Sequence, residues 1–160
     1  MGPSGSNRQP GDTRRLMQSP SVIDTRYGTQ MKWLIPSDLS RGREIQTRIL
    51  AEVDRFHYNT DSVFAIKLAL EEAIVNAIKH GNKYDESKKV YVEALIGPGQ
   101  CEIQIEDEGP GFERSHVPDP TAPENLEKSS GRGILLIESY MTQVHWTHGG
   151  KRMHMIKRND

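Results

Sequence analysis

Residues 88 to 107 read KKVYVEALIGPGQCEIQIED, two runs of alternating apolar and polar side chains on either side of a Gly-Pro-Gly turn. Successive side chains of a strand point to opposite faces, so the pattern predicts an antiparallel hairpin with one apolar face and one polar face. A sheet of that kind has to bury its apolar face under another layer, and the segments around the hairpin have the right period to supply helices.

Upstream, MKWLIP is a short strand ended by Pro36. Ser37 and Asp38 are helix-start signals, and Leu39, Ile45, Ile49, Val53 and Phe56 recur roughly at helical spacing, which predicts a first amphipathic helix with Ile45 and Ile49 in the core. A second helix is expected from Thr60 or Asp61 through SVFAIKLALEEAIVNAIKH, stopping at Gly81 and Asn82. Residues 113 to 130, ERSHVPDPTAPENLEKSS, contain prolines but no periodicity, and a loop of this length inside a compact domain is expected to be a lid or binding loop. GRGILLIESYMTQ is a third helix, and VHWTHGG with KRMHMIK is a closing hairpin. The expected fold is α+β: a two-layer sandwich of a mixed, mostly antiparallel sheet with helices on one face, spanning residues 31 to 158. The first thirty residues, rich in Gly, Pro, Ser and charge, are expected to be a disordered tail.

A chain of 160 residues is the size of one domain, and a formal net charge of -1 carries no basic excess of the kind that nucleic-acid binding requires. No apolar run is long enough to span a bilayer and no export signal opens the chain, so the expected location is cytoplasmic. The single Cys101 falls in a strand pattern and is expected to be buried and inert. The six histidines have no compact ligand spacing, so no structural zinc site is expected.

Three stretches carry chemistry. On the second helix, Glu72 and Asn76 share a narrow polar stripe between two apolar arcs. They are either a pair reaching solvent or a carboxylate and an amide facing a cleft, where Asn76 suits a hard cation such as Mg²⁺ and Glu72 suits a general base. Lys79 and His80, in the last turn, complement the helix dipole, and Lys79 also lies near the direction from which a phosphate would be reached. In DEGPGF, Asp107 ends a strand while Gly109 and Gly111 permit close backbone access, as either a hairpin turn or a ligand loop. In SSGRGILLI, Gly131 and Gly133 leave unpaired N–H groups at a helix start, suited to an anion or to a capped terminus, and Arg132 contacts phosphate or faces solvent.

In this order, with a Pro-bearing loop before the third, the stretches resemble the GHKL (Bergerat-fold) ATPases. EEAIVNAIKHGN is similar to the N box, DEGPGF to the first glycine box and GRGILLI to the second. Within that group the chain most resembles the bacterial anti-sigma factor serine/threonine kinases of partner-switching systems. The resemblance implies ATP and Mg²⁺ as cofactors, Asn76 as metal ligand, Glu72 as the base that activates a substrate hydroxyl and Asp107 as the acceptor for the adenine amino group. It implies Gly109 and Gly111 on the nucleotide side, and Gly131 and Gly133 where the lid meets the triphosphate. It also implies a small antagonist protein phosphorylated on Ser or Thr, a sigma factor as alternative partner, and a homodimer. Two other readings stay open: an ATP-binding switch without transfer, and the ATPase domain of a histidine kinase. One departure stands out: where many relatives carry Gly-Thr in the last hairpin, this chain has GGKRMHM, with Lys151 and Arg152 after the glycine.

Overall fold

A computed structural model describes residues 21–25, 28–111 and 130–160. The elements run β1 (Ser21–Thr25), β2 (Gly28–Pro36), α1 (Leu39–Arg55), α2 (Thr60–Val75), a π turn (Asn76–Gly81), β3 (Lys89–Ile96), β4 (Gln100–Glu106), α3 (Ser130–Tyr140), β5 (Gln143–Thr147) and β6 (Arg152–Arg158). The strands form one six-stranded sheet in the order β1-β2-β3-β4-β6-β5. Every pairing in it is antiparallel, so the expected mixed sheet has no parallel pair among the described strands.

The hairpin read from residues 88 to 107 is β3–β4, with Tyr91 opposite Glu106 and Ile96 opposite Cys101. Its inward side chains, Val90, Val92, Ala94, Ile96, Cys101, Ile103 and Ile105, are buried, and Met31, Trp33 and Ile35 of β2 and Met153 and Met155 of β6 continue the same layer. Burial pushes the Cys101 thiol up to about 12, so the thiolate that makes a cysteine reactive is absent at neutral pH.

The helices cover that face. Asp38 caps α1 by accepting the Ser40 N–H at 2.8 Å, and Asn59 caps α2 by accepting from the Ser62 N–H at 2.8 Å. Ile45, Ile49 and Val53 point into the core, as their spacing predicts. Gly42 lets α1 approach α2 closely, because a Cβ there would lie 2.6 Å from the Ile74 side chain. Helix α2 packs against α1 on one side and α3 on the other. That double contact explains why its sequence is apolar on two arcs and polar only on a stripe.

Strand β1 and the start of β2 lie inside the stretch expected to be a tail, so the sheet begins at Ser21 and not at Met31. The pairing of Val22 with Met31 and Ile23 with Gln30 makes SVIDT an edge strand. The expected lid over 113 to 130 lies outside the described residues except for Ser130, which opens α3. Among the described residues, no helix is long and apolar enough to cross a membrane.

Candidate functional site

The three chemistry-bearing stretches, distant in sequence, meet along the second half of α2. At Val75 the α-helical ladder gives way to the π turn Asn76–Gly81, after which the Asn82 N–H donates to the Ala77 carbonyl at 2.8 Å and the Tyr84 N–H to the Ile78 carbonyl at 2.9 Å. Single π turns inside helices recur at functional sites, because the widened backbone re-aims the side chains around it. Here the widening begins at Asn76, and Glu72 stands one turn before it.

Glu72 and Asn76 are both half-buried. Neither side chain makes a hydrogen bond or ion pair with any described residue. Glu72 lies against the start of α3, where a Cβ built on Gly133 would sit 2.8 Å from Glu72 Oε2. Any side chain at 133 would therefore displace the carboxylate. Gly131 belongs to the first turn of α3 with Arg132, whose side chain lies outside the described residues. Lys79 and His80 are exposed in the π turn. Partial burial and the Lys79 charge hold the His80 imidazole below its ordinary value, with Glu72 acting in the opposite direction.

At the far end of the turn is Asp107, beside Gly81. Its N–H donates to the Lys151 carbonyl at 3.1 Å, and its Oδ1 accepts from the Gly109 N–H at 2.8 Å. A Cβ on Gly81 would lie 2.5 and 2.7 Å from the two Asp107 carboxylate oxygens, and one on Gly109 would overlap the Gly81 carbonyl. The two glycines let the end of the π turn and the DEGPGF loop close around one carboxylate. Gly111, at φ 77°, lies against the carbonyl of Gly149 in the β5–β6 connection.

Behind this loop is a buried polar lattice. Asn82, fully buried, accepts the Glu108 N–H at 2.8 Å and donates to Ser37 Oγ at 2.9 Å and the Lys89 carbonyl at 3.0 Å. Ser37, also buried, donates to the Lys88 carbonyl at 2.8 Å. Glu108 Oε2 accepts the Lys89 N–H at 2.5 Å. Burial raises the Asp107 carboxyl above its ordinary value; the Gly109 N–H and the charges of Lys151 and Lys88 pull it down, and Glu106 pushes it up. Glu106 is itself held by Arg152, at 2.8 and 3.2 Å.

Two groups of the expected site residues thus come together: Glu72, Asn76 and Gly133 at one end, Asp107, Gly109 and Gly111 at the other. Gly81, Asn82, Ser37 and Lys151 were not singled out as parts of this site. Gly81 and Asn82 read locally as a helix stop and Ser37 as a helix start. The only local sign of their second role is a Gly-Asn pair directly after a polar stripe.

Comparison with known proteins yields a consistent family. The model of the histidine kinase-like ATPase domain matches residues 35–157. The anti-sigma F factor of Clostridium perfringens (strain SM101) is 42% identical over 82 residues, covering 49% of this chain and 58% of that protein. That of Oceanobacillus iheyensis is 36% identical over 87 residues, covering 52% and 59%. The chain therefore matches a little over half the length of these relatives. In fold it resembles a solved Mycobacterium tuberculosis structure of RsbU and RsbW domains, with TM-score 0.53 and 14% identity over 88% of this chain and 32% of that one.

Proposed function

This chain belongs to the histidine kinase-like ATPase domain family, and on that premise we propose that it is an ATP-dependent anti-sigma factor and protein serine/threonine kinase. Its substrate in this reading is a small antagonist protein carrying the acceptor Ser or Thr, and its alternative partner is a sigma factor; a homodimer is the assembly that goes with it. The observation that carries the reading is the convergence of Glu72, Asn76 and Gly133 with the glycine-lined Asp107 pocket along one helix. The names of the anti-sigma F factor relatives support the partner class.

The residues present fit a magnesium nucleotide. Asn76 offers an amide oxygen without a partner among the described residues, the hard donor that Mg²⁺ takes. The Asp107 carboxylate can take its place only because positions 81 and 109 lack side chains. Bound Mg²⁺ would neutralise phosphate charge, and bound ATP would supply the phosphoryl group.

The chain's own residues then have distinct tasks. Asp107 accepts a hydrogen bond from the adenine amino group, while Gly109 and Gly111 bring backbone close to the base. Lys79 and the backbone N–H groups at the α3 start, Gly131 to Gly133, would hold the phosphates, where a helix N-terminus favours negative charge. Glu72 would orient the incoming Ser or Thr hydroxyl and take its proton as the phosphoryl group passes to it from ATP, the bond to the bridging oxygen breaking and ADP leaving, a contribution of about 10²- to 10⁴-fold.

Incubating the full chain with γ-labelled Mg-ATP and candidate antagonist proteins tests this directly, with label on a Ser or Thr of the antagonist as the expected result. Lys151 and Arg152, at the position of Gly-Thr in many relatives, favour a second reading in which ATP orders a partner surface without transfer. Tight binding without transferred label would select that second reading. Absence of any nucleotide binding would sink both.

A further inference from the structure

We propose that Lys151 is a positioning residue for nucleotide recognition, placed beside Asp107 so that this carboxylate stays charged when it accepts a base amino group. The inference rests on the nucleotide reading above and concerns a residue that neither the glycine boxes nor the N box includes.

Backbone geometry brings the two residues together. The β4–β6 ladder ends with Glu106 opposite Arg152, and one step beyond it the Asp107 N–H donates to the Lys151 carbonyl at 3.1 Å. The Lys151 stem is half-buried, and its Cγ lies 3.3 Å from where a Gly111 Cβ would stand. The stem is thus held against the same loop that carries Asp107, which restricts where the ammonium can go.

The charges around Asp107 explain why such a neighbour matters. Removing a carboxylate from water favours its neutral form, and a protonated oxygen is a poorer acceptor for an amino donor. From the loop, the Gly109 N–H supports the charged form. From β4, Glu106 opposes it, although Arg152 binds Glu106 at 2.8 Å and moderates that opposition. From the segment before β3, Lys88 supports it more weakly than Lys151 does. The neighbour from the π turn is Gly81, which carries no charge. Lys151 is therefore the largest charge offsetting burial at this carboxylate.

The test is the pH dependence of ADP affinity, measured by calorimetric titration from about pH 4.5 to 8 for the parent chain and for Lys151→Met and Lys151→Arg. Toward acid, Lys151→Met should weaken first, at a higher pH than the parent and by about threefold more at the acid end of the range. Lys151→Arg should track the parent. Comparing variants cancels the titration of the nucleotide itself. Superimposable acid limbs for parent and Lys151→Met would overturn the assignment while leaving nucleotide binding intact. Failure of the parent to bind ADP at any pH would instead overturn the nucleotide reading, and this inference with it. Should Lys151→Met lose its far-UV circular dichroism signature, Lys151→Gln carries the same comparison and the same two outcomes.

Discussion

The two ends of the site are built by different means. Around Asp107 the chain closes on itself: two glycines admit the carboxylate, and a buried lattice through Asn82, Ser37, Lys88 and Lys89 fixes the loop behind it. Around Glu72 there is proximity without ties, since the carboxylate lies beside Gly133, one helical turn from Asn76, and neither side chain has a hydrogen bond to a described residue. A loop closed on one carboxylate and held from behind suits recognition of a ligand of fixed shape. Half-buried groups with open valences suit an ion, mobile phosphates and a protein hydroxyl that must enter and leave.

The sharpest way to break this contrast is Glu72→Ala. If the open end serves only transfer, the variant should phosphorylate an antagonist about 10²- to 10⁴-fold more slowly than the parent while binding ATP as tightly. Parallel losses of affinity and rate would mean that Glu72 supports the nucleotide and that the division between the ends is false.

At the closed end, Gly81→Ala should have the next largest effect. A methyl group there would fall within 2.7 Å of both Asp107 oxygens, so either the carboxylate swings away or the π turn shifts. Overpacking of this kind costs on the order of 1 to 3 kcal/mol, and nucleotide affinity should drop by a comparable amount, about ten- to hundredfold, with the fold retained. Calorimetric titration with ATP checks the affinity and thermal melting checks the fold. Unchanged affinity would show that the carboxylate can move aside without cost to binding.

The lattice makes a separable claim. Asn82→Ala leaves the Glu108 N–H, the Lys89 carbonyl and Ser37 without one partner each, so unfolding free energy should fall by about 1 to 3 kcal/mol. Urea unfolding measures it. Because the loop rather than the carboxylate loses its support, the affinity loss should be smaller than for Gly81→Ala. The reverse ranking would make Asn82, not the glycine cradle, the principal organiser of the pocket.

How much of this was legible in the sequence follows the same division. Features set by local chemistry were readable: alternation in β3 and β4, the Asp38 cap, the 3.6-residue spacing of Ile45, Ile49 and Val53, and the polar stripe of Glu72 and Asn76 between two apolar arcs. Features set by tertiary approach were not. SVIDT lies in a Gly- and Pro-rich stretch and is a strand only because β2 offers it an edge. The π turn is invisible because NAIKHG has unexceptional helical composition. Gly81 reads as a stop signal until Asp107 is brought against it. Asn82 reads as a helix end until Glu108 and Lys89 claim its amide.

The smallest effect sharpens the comparison from the closed end. Burial holds the Asp107 carboxyl above its ordinary 3.8, so the folded chain binds that proton more tightly than the unfolded chain does. The stabilising contribution of this group is therefore fully present below the unfolded value and lost as pH rises through the folded one. Asp107→Asn keeps the neutral shape and removes the titration. The difference in unfolding free energy between Asp107→Asn and the parent should thus move in favour of the variant as pH rises upward from about 3.8, then level off once the parent carboxyl is ionised. The expected effect is small, because the Gly109 N–H and Lys151 already offset part of the burial. A difference independent of pH would mean that the pocket solvates Asp107 as well as water does, and the contrast between a closed and an open end would then rest on shape alone.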